Sequence, residues 1–280
     1  MELSGLRTFV SVVEHGGVLA AAAHLHTVPS NVSARLKRLE VELGVPLFLR
    51  QGRRMHLTPG GAVLEEHARH LLLMERQAMQ AVREAGDGTG ELRLGANETF
   101  VALNLPDLLT AMRQQHPGVE VRLALANSQQ LIRDVLEHRL DCAFVGGPVT
   151  HADLEAEEIY RDELMCVEAL DGGGNERLVA FPEGCAYRAR AEAWMRSAGK
   201  PATEPLVLNT LDGVLGCVAA GLGFTLMPRD AVMRSAHRDA LRLSALPAAT
   251  AVVPVLLVRR RDGVPLAAMR TVKRLAKAVT

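Results

Sequence analysis

Between positions 29 and 38 the chain carries Ser30, Asn31, Ser33, Arg35, Lys37 and Arg38, with no acidic residue among them. Hydroxyls, amides and guanidinium groups of this size hydrogen-bond base edges and phosphate oxygens. The apolar residues interleaved with them, Val32, Leu36, Leu39 and Leu43, fall at i, i+4, i+7 and i+11, one face of a helical period. At about 100° per residue, Ser30, Asn31, Ala34, Lys37 and Arg38 turn to the far side, with Ser33 and Arg35 on the flanks. The pattern predicts a helix buried along one side and polar and basic along the other, of a width that the DNA major groove admits.

Other residues with reactive side chains are scattered. Ser128 and Cys185 are candidate nucleophiles, but a nucleophile needs a base within reach. No His follows Cys185 until His237, and no G-x-S-x-G motif occurs, so an enzyme is the poorer reading. Cys142, Cys166, Cys185 and Cys217 show neither CxxC nor metal-ligand spacing and read as thiols of a reducing compartment. A thiol redox sensor using Cys185 and Cys217, with Arg188 and Arg190 near the first, is the alternative on the same chain. The sequence asks for no cofactor and no metal.

The elements that must present the basic helix are legible around it. Leu6, Phe9, Val10 and Val13 have the spacing of a core-facing helix, ended by Gly16-Gly17. Ala20 to Ala23 form a small-residue surface on which another helix packs closely. His26-Thr27-Val28 makes a short turn, and Pro29 suits the first helical position, where its missing N–H costs nothing. Thr27 and Pro29 thus sit at the leading edge of the polar face. After Gly44, Phe48–Arg50 and Met55–Leu57 flank Gln51-Gly52-Arg53-Arg54, a hairpin whose tip places Arg53 and Arg54 beside phosphates. Thr58-Pro59 then opens a helix with no breaker after Gly61 until Gly86. Along it Leu64, His67, Leu71, Met74, Ala78, Ala81 and Ala85 alternate three and four apart, a seam that calls for a partner helix.

At 280 residues and 48% hydrophobic the chain is long enough for more than one domain and its cores. No run of 18 apolar residues and no signal peptide appear, which predicts a cytoplasmic protein without a membrane partner. The net charge is zero but uneven. Residues 1–60 hold seven Lys/Arg against four Asp/Glu, residues 91–257 hold 15 against 22, and residues 258–280 hold seven against one. A basic head on an acidic body fits local DNA contact rather than general binding of polyanions.

Past a hinge, Gly86-Asp87-Gly88-Thr89-Gly90, strands and helices alternate. Strands are expected at 92–94, 119–125, 142–145, 163–168, 177–181, 205–209, 224–227 and 252–258. Helices are expected at 101–116, interrupted by Pro106, and at 128–138, 187–198, 211–220 and 265–278. This is an α/β pattern, read as mostly parallel sheets. Ligands of such sheets sit beyond strand ends, at helix N-termini. That rule selects Asn97, Glu98, Thr99 and Phe100, then Asn127 and Ser128, then Gly146 and Gly147. It also selects Cys185, Tyr187 and Arg188, then Thr210 and Leu211, then Phe224 and Thr225. With Glu98 and Arg188 both facing the ligand an amino acid fits; with Glu98 alone a polyamine; with Arg188 alone a carboxylate.

The stretch 18–60 resembles the winged helix-turn-helix of LysR-type transcriptional regulators. The resemblance is carried by Leu6, Phe9, Ala21-Ala22, Leu25, Ser30, Val32-Ser33, Leu39-Glu40, Leu43-Gly44, Leu47-Phe48, Arg50, Leu57-Thr58 and Gly60-Gly61. Two positions depart from it: Pro29 stands where the family often has Gln, and Ala34 separates Ser33 from Arg35. Gly90–Gly95, Pro106, Pro117, Leu140-Asp141, Gly221-Leu222-Gly223 and Pro228 extend the resemblance to the effector-binding domain of that family, which is similar to periplasmic solute-binding folds. It implies a DNA-binding head at 1–60, a dimerising linker helix at 59–85, a hinge at 86–90 and an effector domain at 91–280. Within that domain it implies lobe I at 91–162 plus 258–280 and lobe II at 163–257. It further implies a homodimer assembling into a homotetramer, double-stranded operator DNA as partner, and a small-molecule effector between the lobes, most firmly at Thr99 and Ser128.

Overall fold

The computed structural model describes residues 1–51, 54–86, 89–172, 176–199, 203–263 and 267–278. The chain forms two compact units, Met1–Val82 and Arg83–Thr280.

The first unit is three short helices, a hairpin and the front of a long helix: α1 (Leu3–Glu14), α2 (Val18–His24), α3 (Pro29–Leu43), β1 (Phe48–Gln51), β2 (Arg54–Leu57) and α4 (Pro59–Gly86). Leu6, Phe9, Ala21, Ala22, Val32, Leu36, Leu39 and Leu47 share one core, which Leu64 and Ala68 of α4 complete. The spacing of those residues is why three helices too short to persist alone fold together. Leu43, expected on the buried face of α3, is instead exposed, because it is the last residue before the left-handed cap at Gly44. Ala20 and Ala23 also face outward; only Ala21 and Ala22 make the close contact. The strands β1 and β2 are antiparallel, with Gln51 opposite Arg54. The hairpin is fixed to α3 by Glu40, whose carboxylate accepts the N–H of Leu47 at 2.8 Å. It is fixed to α4 by Thr58, whose hydroxyl donates to Pro46 O and accepts from Gly61 N. At Gly61 a Cβ would stand 2.2 Å from Leu47 O, so only glycine lets the hairpin lie this close to α4.

The second unit contains β3 (Gly90–Ala96), α5 (Glu98–Leu103), α6 (Leu105–Gln115), β4 (Val119–Leu125), α7 (Ser128–Leu136), β5 (Cys142–Gly146) and β6 (Leu154–Ala169). It continues with β7 (Val179–Ala180), α8 (Ala186–Ser197), β8 (Leu206–Val207), α9 (Leu211–Ala219), β9 (Thr225–Pro228) and α10 (Arg229–Met233). It ends with β10 (Leu241–Ala245), α11 (Ala248–Ala251), β11 (Val252–Arg260) and α12 (Ala267–Ala278). The main sheet runs β10-β6-β11-β5-β3-β4, and β9 also pairs with β6.

The expected parallel character holds only in part. β3 is parallel to β4 and β5, and β7 to β8, but β6 is antiparallel to β9, β10 and β11, and β11 to β5. The cause is the length of β6, which at 16 residues runs through both halves of the unit and is met by β11 on the way back. Only its second half is legible as a strand, since Glu155, Glu157, Glu158 and Arg161 break the apolar pattern of the first. β10 has no counterpart among the expected strands: it is a half-exposed edge strand with a single fully buried residue, Leu241.

Three clusters fill this unit. Leu92, Leu94, Phe100, Phe144, Val255, Leu257 and Met269 form one. Leu131, Val135, Val145, Leu256 and Val258 form another on the opposite face of the same strands, as the twofold alternation of β11 requires. Leu164, Val167, Phe181, Tyr187, Val214, Phe224 and Val253 form the third, under a separate set of helices. The chain passes between the halves along β6 near Asp162 and returns along β11 between Val253 and Val255. Residues 255–257, assigned to lobe II from the sequence, therefore pack in lobe I.

Candidate functional sites

The outward side of α3 presents Pro29, Ser30, Asn31, Ser33, Ala34, Arg35, Lys37 and Arg38, all exposed. Its position follows from the buried Val32, Leu36 and Leu39 beneath. Asn31 donates to the hydroxyl of Thr27 at 3.1 Å, bracing the turn at the head of the helix. That turn holds His26 at a φ of 49°, a left-handed residue between α2 and α3. Elsewhere in the unit cations are engaged: Arg7 pairs with Glu75, and Arg69 with Glu14 and Glu65. Arg35, Lys37 and Arg38 enter no ion pair among the described residues. They are charges free to meet phosphates, a term that dominates nucleic-acid affinity. Arg53 lies outside the described residues, and Arg54 is described only through its backbone pairing in the hairpin.

The second site is a cleft of about 400 Å³ where the two halves of the second unit meet. Lobe I contributes Asn97, Glu98, Thr99, Leu125, Ala126, Asn127, Ser128 and Gln130; lobe II contributes Phe181, Pro182, Cys185, Ala186, Tyr187 and Asn209. Strand ends and helix starts place them. Asn97 caps α5 by accepting Phe100 N, Asn127 caps α7 by accepting Gln130 N, and Thr210 caps α9 by accepting Gly213 N. Capping side chains of these types are favoured because they satisfy otherwise unpaired first-turn N–H groups.

Several bonds cross the cleft. The Asn127 amide donates to Glu183 O at 2.9 Å, Gln129 N donates to Gly184 O, and Leu211 N donates to the Glu98 carboxylate at 3.3 Å. Gly184 has a φ of +90°, and a Cβ there would stand 2.8 Å from Asn127 Oδ1, so glycine is needed twice over at this crossing. At the floor, Tyr187 donates its hydroxyl proton to Asp162. Burial pushes the Asp162 carboxyl up to about 6; the Tyr187 bond opposes this and Asp230 adds to it. Burial likewise drives the Tyr187 hydroxyl well above its ordinary range.

Of the residues selected from the sequence, Asn97, Glu98, Thr99, Asn127, Ser128, Cys185 and Tyr187 line the cleft. The others have different work. Phe100 is buried and stacked on Phe144, with ring centroids 3.9 Å apart. Gly146 gives its N–H to the Ser128 hydroxyl and Gly147 its N–H to Pro254 O. Arg188 turns to Glu192 at 2.7 Å and to Phe181 O. Thr210 is a helix cap, Phe224 packs edge-on against Trp194, and Thr225 is buried in β9. The strand-end rule found ends that line the cleft but could not tell which side chain at each end turns inward. It missed Leu125, Phe181 and Pro182, apolar wall residues without a polar signal, and Asn209, one residue ahead of Thr210. Asp162 had no signal, being a lone acid within a strand.

All four cysteines are free. Burial raises the Cys185 thiol, the opposite of what a reactive thiol needs. Among the described residues no group of three or more His, Cys, Asp or Glu side chains is placed to hold a metal ion. No described helix is long and apolar enough to cross a membrane.

Two family models match the chain: residues 3–62 match the bacterial regulatory helix-turn-helix protein, lysR family, and residues 85–280 match the LysR substrate binding domain. The HTH-type regulator YusT of Bacillus subtilis, itself described as uncharacterized, is 34% identical over 278 residues, covering 97% of this chain and 94% of that one. The regulator CzcR of Bacillus anthracis is 33% identical over 276 residues, covering 97% and 95%. Among solved structures, a full-length OxyR variant from Pseudomonas aeruginosa aligns with a TM-score of 0.73 at 20% identity, covering 100% of this chain and 94% of that chain. CbnR in complex with its target DNA aligns at 0.67 and 21% identity, covering both chains fully. At these identities the structural likeness is one of fold.

Proposed function

The chain belongs to the LysR family of DNA-binding transcriptional regulators with an effector-binding domain, and from that premise we propose which residues serve each task. The observation that carries the reading is the outward face of α3, where Arg35, Lys37 and Arg38 stand without ion pairs among the described residues, beside Ser30, Asn31 and Ser33. We infer that this face enters the major groove of operator DNA, with the hairpin around Arg53 and Arg54 alongside the phosphates. CbnR, which shares the fold, was solved on its target DNA.

On this reading the chain is a regulator rather than an enzyme and works in the cytoplasm. The head is 1–60, the linker helix 59–85 and the effector domain 91–280; the expected hinge at 86–90 falls partly on residues 87 and 88, outside the described part of the chain. The linker helix pairs two copies. In support, α4 leaves Val63, His67, Leu71, Met74, Ala78 and Val82 exposed along one stripe, three or four residues apart. Leu64, expected on that seam, is buried within its own unit; the side chains of Ala81 and Ala85 lie outside the described part of the chain. A tetramer through the effector domains rests on family membership.

The effector lies in the cleft at Glu98, Thr99, Asn127, Ser128 and Tyr187. A ligand touching both lobes favours one lobe arrangement over another, and shifts it only by its difference in affinity for the two. The test is selection of duplexes from a random pool by the full chain, followed by binding to a scrambled control. Enrichment of one sequence, bound at least about 10³-fold more tightly than the control, is expected. A pool that fails to enrich overturns the reading.

A further inference from the structure

The cleft carries its own statement of charge. Among the described residues that line it, Glu98 is the only ionisable acid or base apart from the thiol and phenol of Cys185 and Tyr187, and no described Lys, Arg or His lines it. The nearest cation in sequence to the wall, Arg188, is turned away and held by Glu192 and Phe181 O.

Four helices start at this cleft, and N-termini of helices ordinarily attract anions. Here three of the four have already given a first-turn N–H to a capping side chain. Asn97 takes Phe100 N, Asn127 takes Gln130 N and Thr210 takes Gly213 N, while Cys185 at the start of α8 makes no side-chain cap. The Glu98 carboxylate itself occupies the start of α9, accepting Leu211 N through Oε1. An incoming carboxylate would face the Glu98 carboxylate with no described Lys, Arg or His on the lining to offset it.

The remaining polar side chains on the lining are neutral. Both ends of the Asn127 amide are bonded, and so are both ends of Gln130, to Asp134 and Arg133. Glu98 retains Oε2. Around it stand Leu125, Ala126, Phe181, Pro182 and the ring of Tyr187; aromatic faces attract cations and apolar walls cover hydrocarbon.

Resting on the cleft as the effector site, we infer that its ligand is a compact amine, a single ammonium on a short apolar body, with Glu98 as its counter-ion. The ammonium pairs with Oε2 while Oε1 keeps Leu211 N, so the ligand binds at the contact that joins the lobes.

The probes are n-pentylamine, n-pentanol and pentanoate, matched in length and differing in charge. Each is titrated into the full chain at constant ionic strength, and the thermal unfolding midpoint is read. The amine is expected to raise the midpoint with concentration, with an apparent affinity at least ten times that of pentanoate. Glu98→Gln keeps an oxygen for Leu211 N and removes only the charge; it should weaken the amine at least tenfold and leave pentanol unchanged. An amine that has no effect, that is matched by pentanoate, or that acts equally on Glu98→Gln overturns the inference. Ala126→Trp, which fills the cleft, separates the two levels. If the amine has no effect or is matched by pentanoate, while pentanol or pentanoate binds and Ala126→Trp abolishes it, the cleft stands and the amine falls. If every probe is indifferent to Ala126→Trp, the cleft reading falls too.

Discussion

Tyr187, in the first turn of α8, gives its phenolic proton to Asp162, the residue of β6 at which the chain crosses from one lobe to the other. The bond ties a cleft wall to the strand about which the lobes would move. It is also a bond to a buried carboxyl, which has a measurable consequence.

Burial moves the Asp162 carboxyl from 3.8 to about 6. A carboxyl raised on folding stabilises the fold while protonated: its contribution is full below about pH 4 and is lost as pH rises through about 6. Up to about 3 kcal/mol of stability is at stake across that window. Asp162→Asn keeps an acceptor for Tyr187 and cannot ionise. Urea unfolding between pH 4 and 7 should show the variant gaining on the parent as pH rises. Parallel pH profiles would contradict the assignment.

The hairpin of the first unit hangs on Glu40, which accepts the N–H of the fully buried Leu47. Glu40→Ala strands that N–H and should cost about 1–3 kcal/mol, whereas Glu40→Gln should recover most of it. Chemical denaturation of both variants measures this; equal loss in the two would mean the charge, not the bond, matters.

Much of this architecture is legible in the residues. The period of Val32, Leu36 and Leu39 places α3 and with it the polar face, because a short helix on a small core has one way to bury its apolar side. Asn97, Asn127 and Thr210 mark helix starts, and the starts converge where the topology says they should. What the sequence does not carry is rotation at each start. Thr210 and Arg188 are turned into caps and ion pairs by local contacts that only the packed structure contains. The antiparallel crossing of β6 and β11 is hidden because charged residues on an exposed strand face erase the pattern by which strands are read. Likewise Val63 and Leu64 are neighbours on α4, and only the packing decides that Leu64 faces inward and Val63 outward.

The Ser128 hydroxyl accepts the N–H of the buried Gly146 at 3.0 Å, so it holds a strand end as well as facing the cleft. Ser128→Ala should destabilise the fold by about 1–3 kcal/mol and leave affinity for a selected duplex unchanged. A variant with parental stability would show the bond to be dispensable.

Leu71 is 42% exposed on α4, within the stripe that the single chain leaves uncovered. Placing a charge there should leave each chain folded but disrupt pairing, since an unpaired charge in an interface costs several kcal/mol. Leu71→Asp is expected to sediment as a monomer at concentrations where the parent is larger. Identical sedimentation would move the interface elsewhere.

The central claim is that the outward face of α3 reads DNA, and the most direct measurement is the affinity of the full chain for its own selected duplex against Arg35→Ala and Ser33→Ala. Both side chains are exposed and outside the core, so folding is untouched. Arg35→Ala should weaken specific binding by roughly 1–3 kcal/mol and relax preference at one base position. Ser33→Ala should change sequence preference with little effect on nonspecific binding. Parental affinity and unchanged preference in both variants would contradict the account.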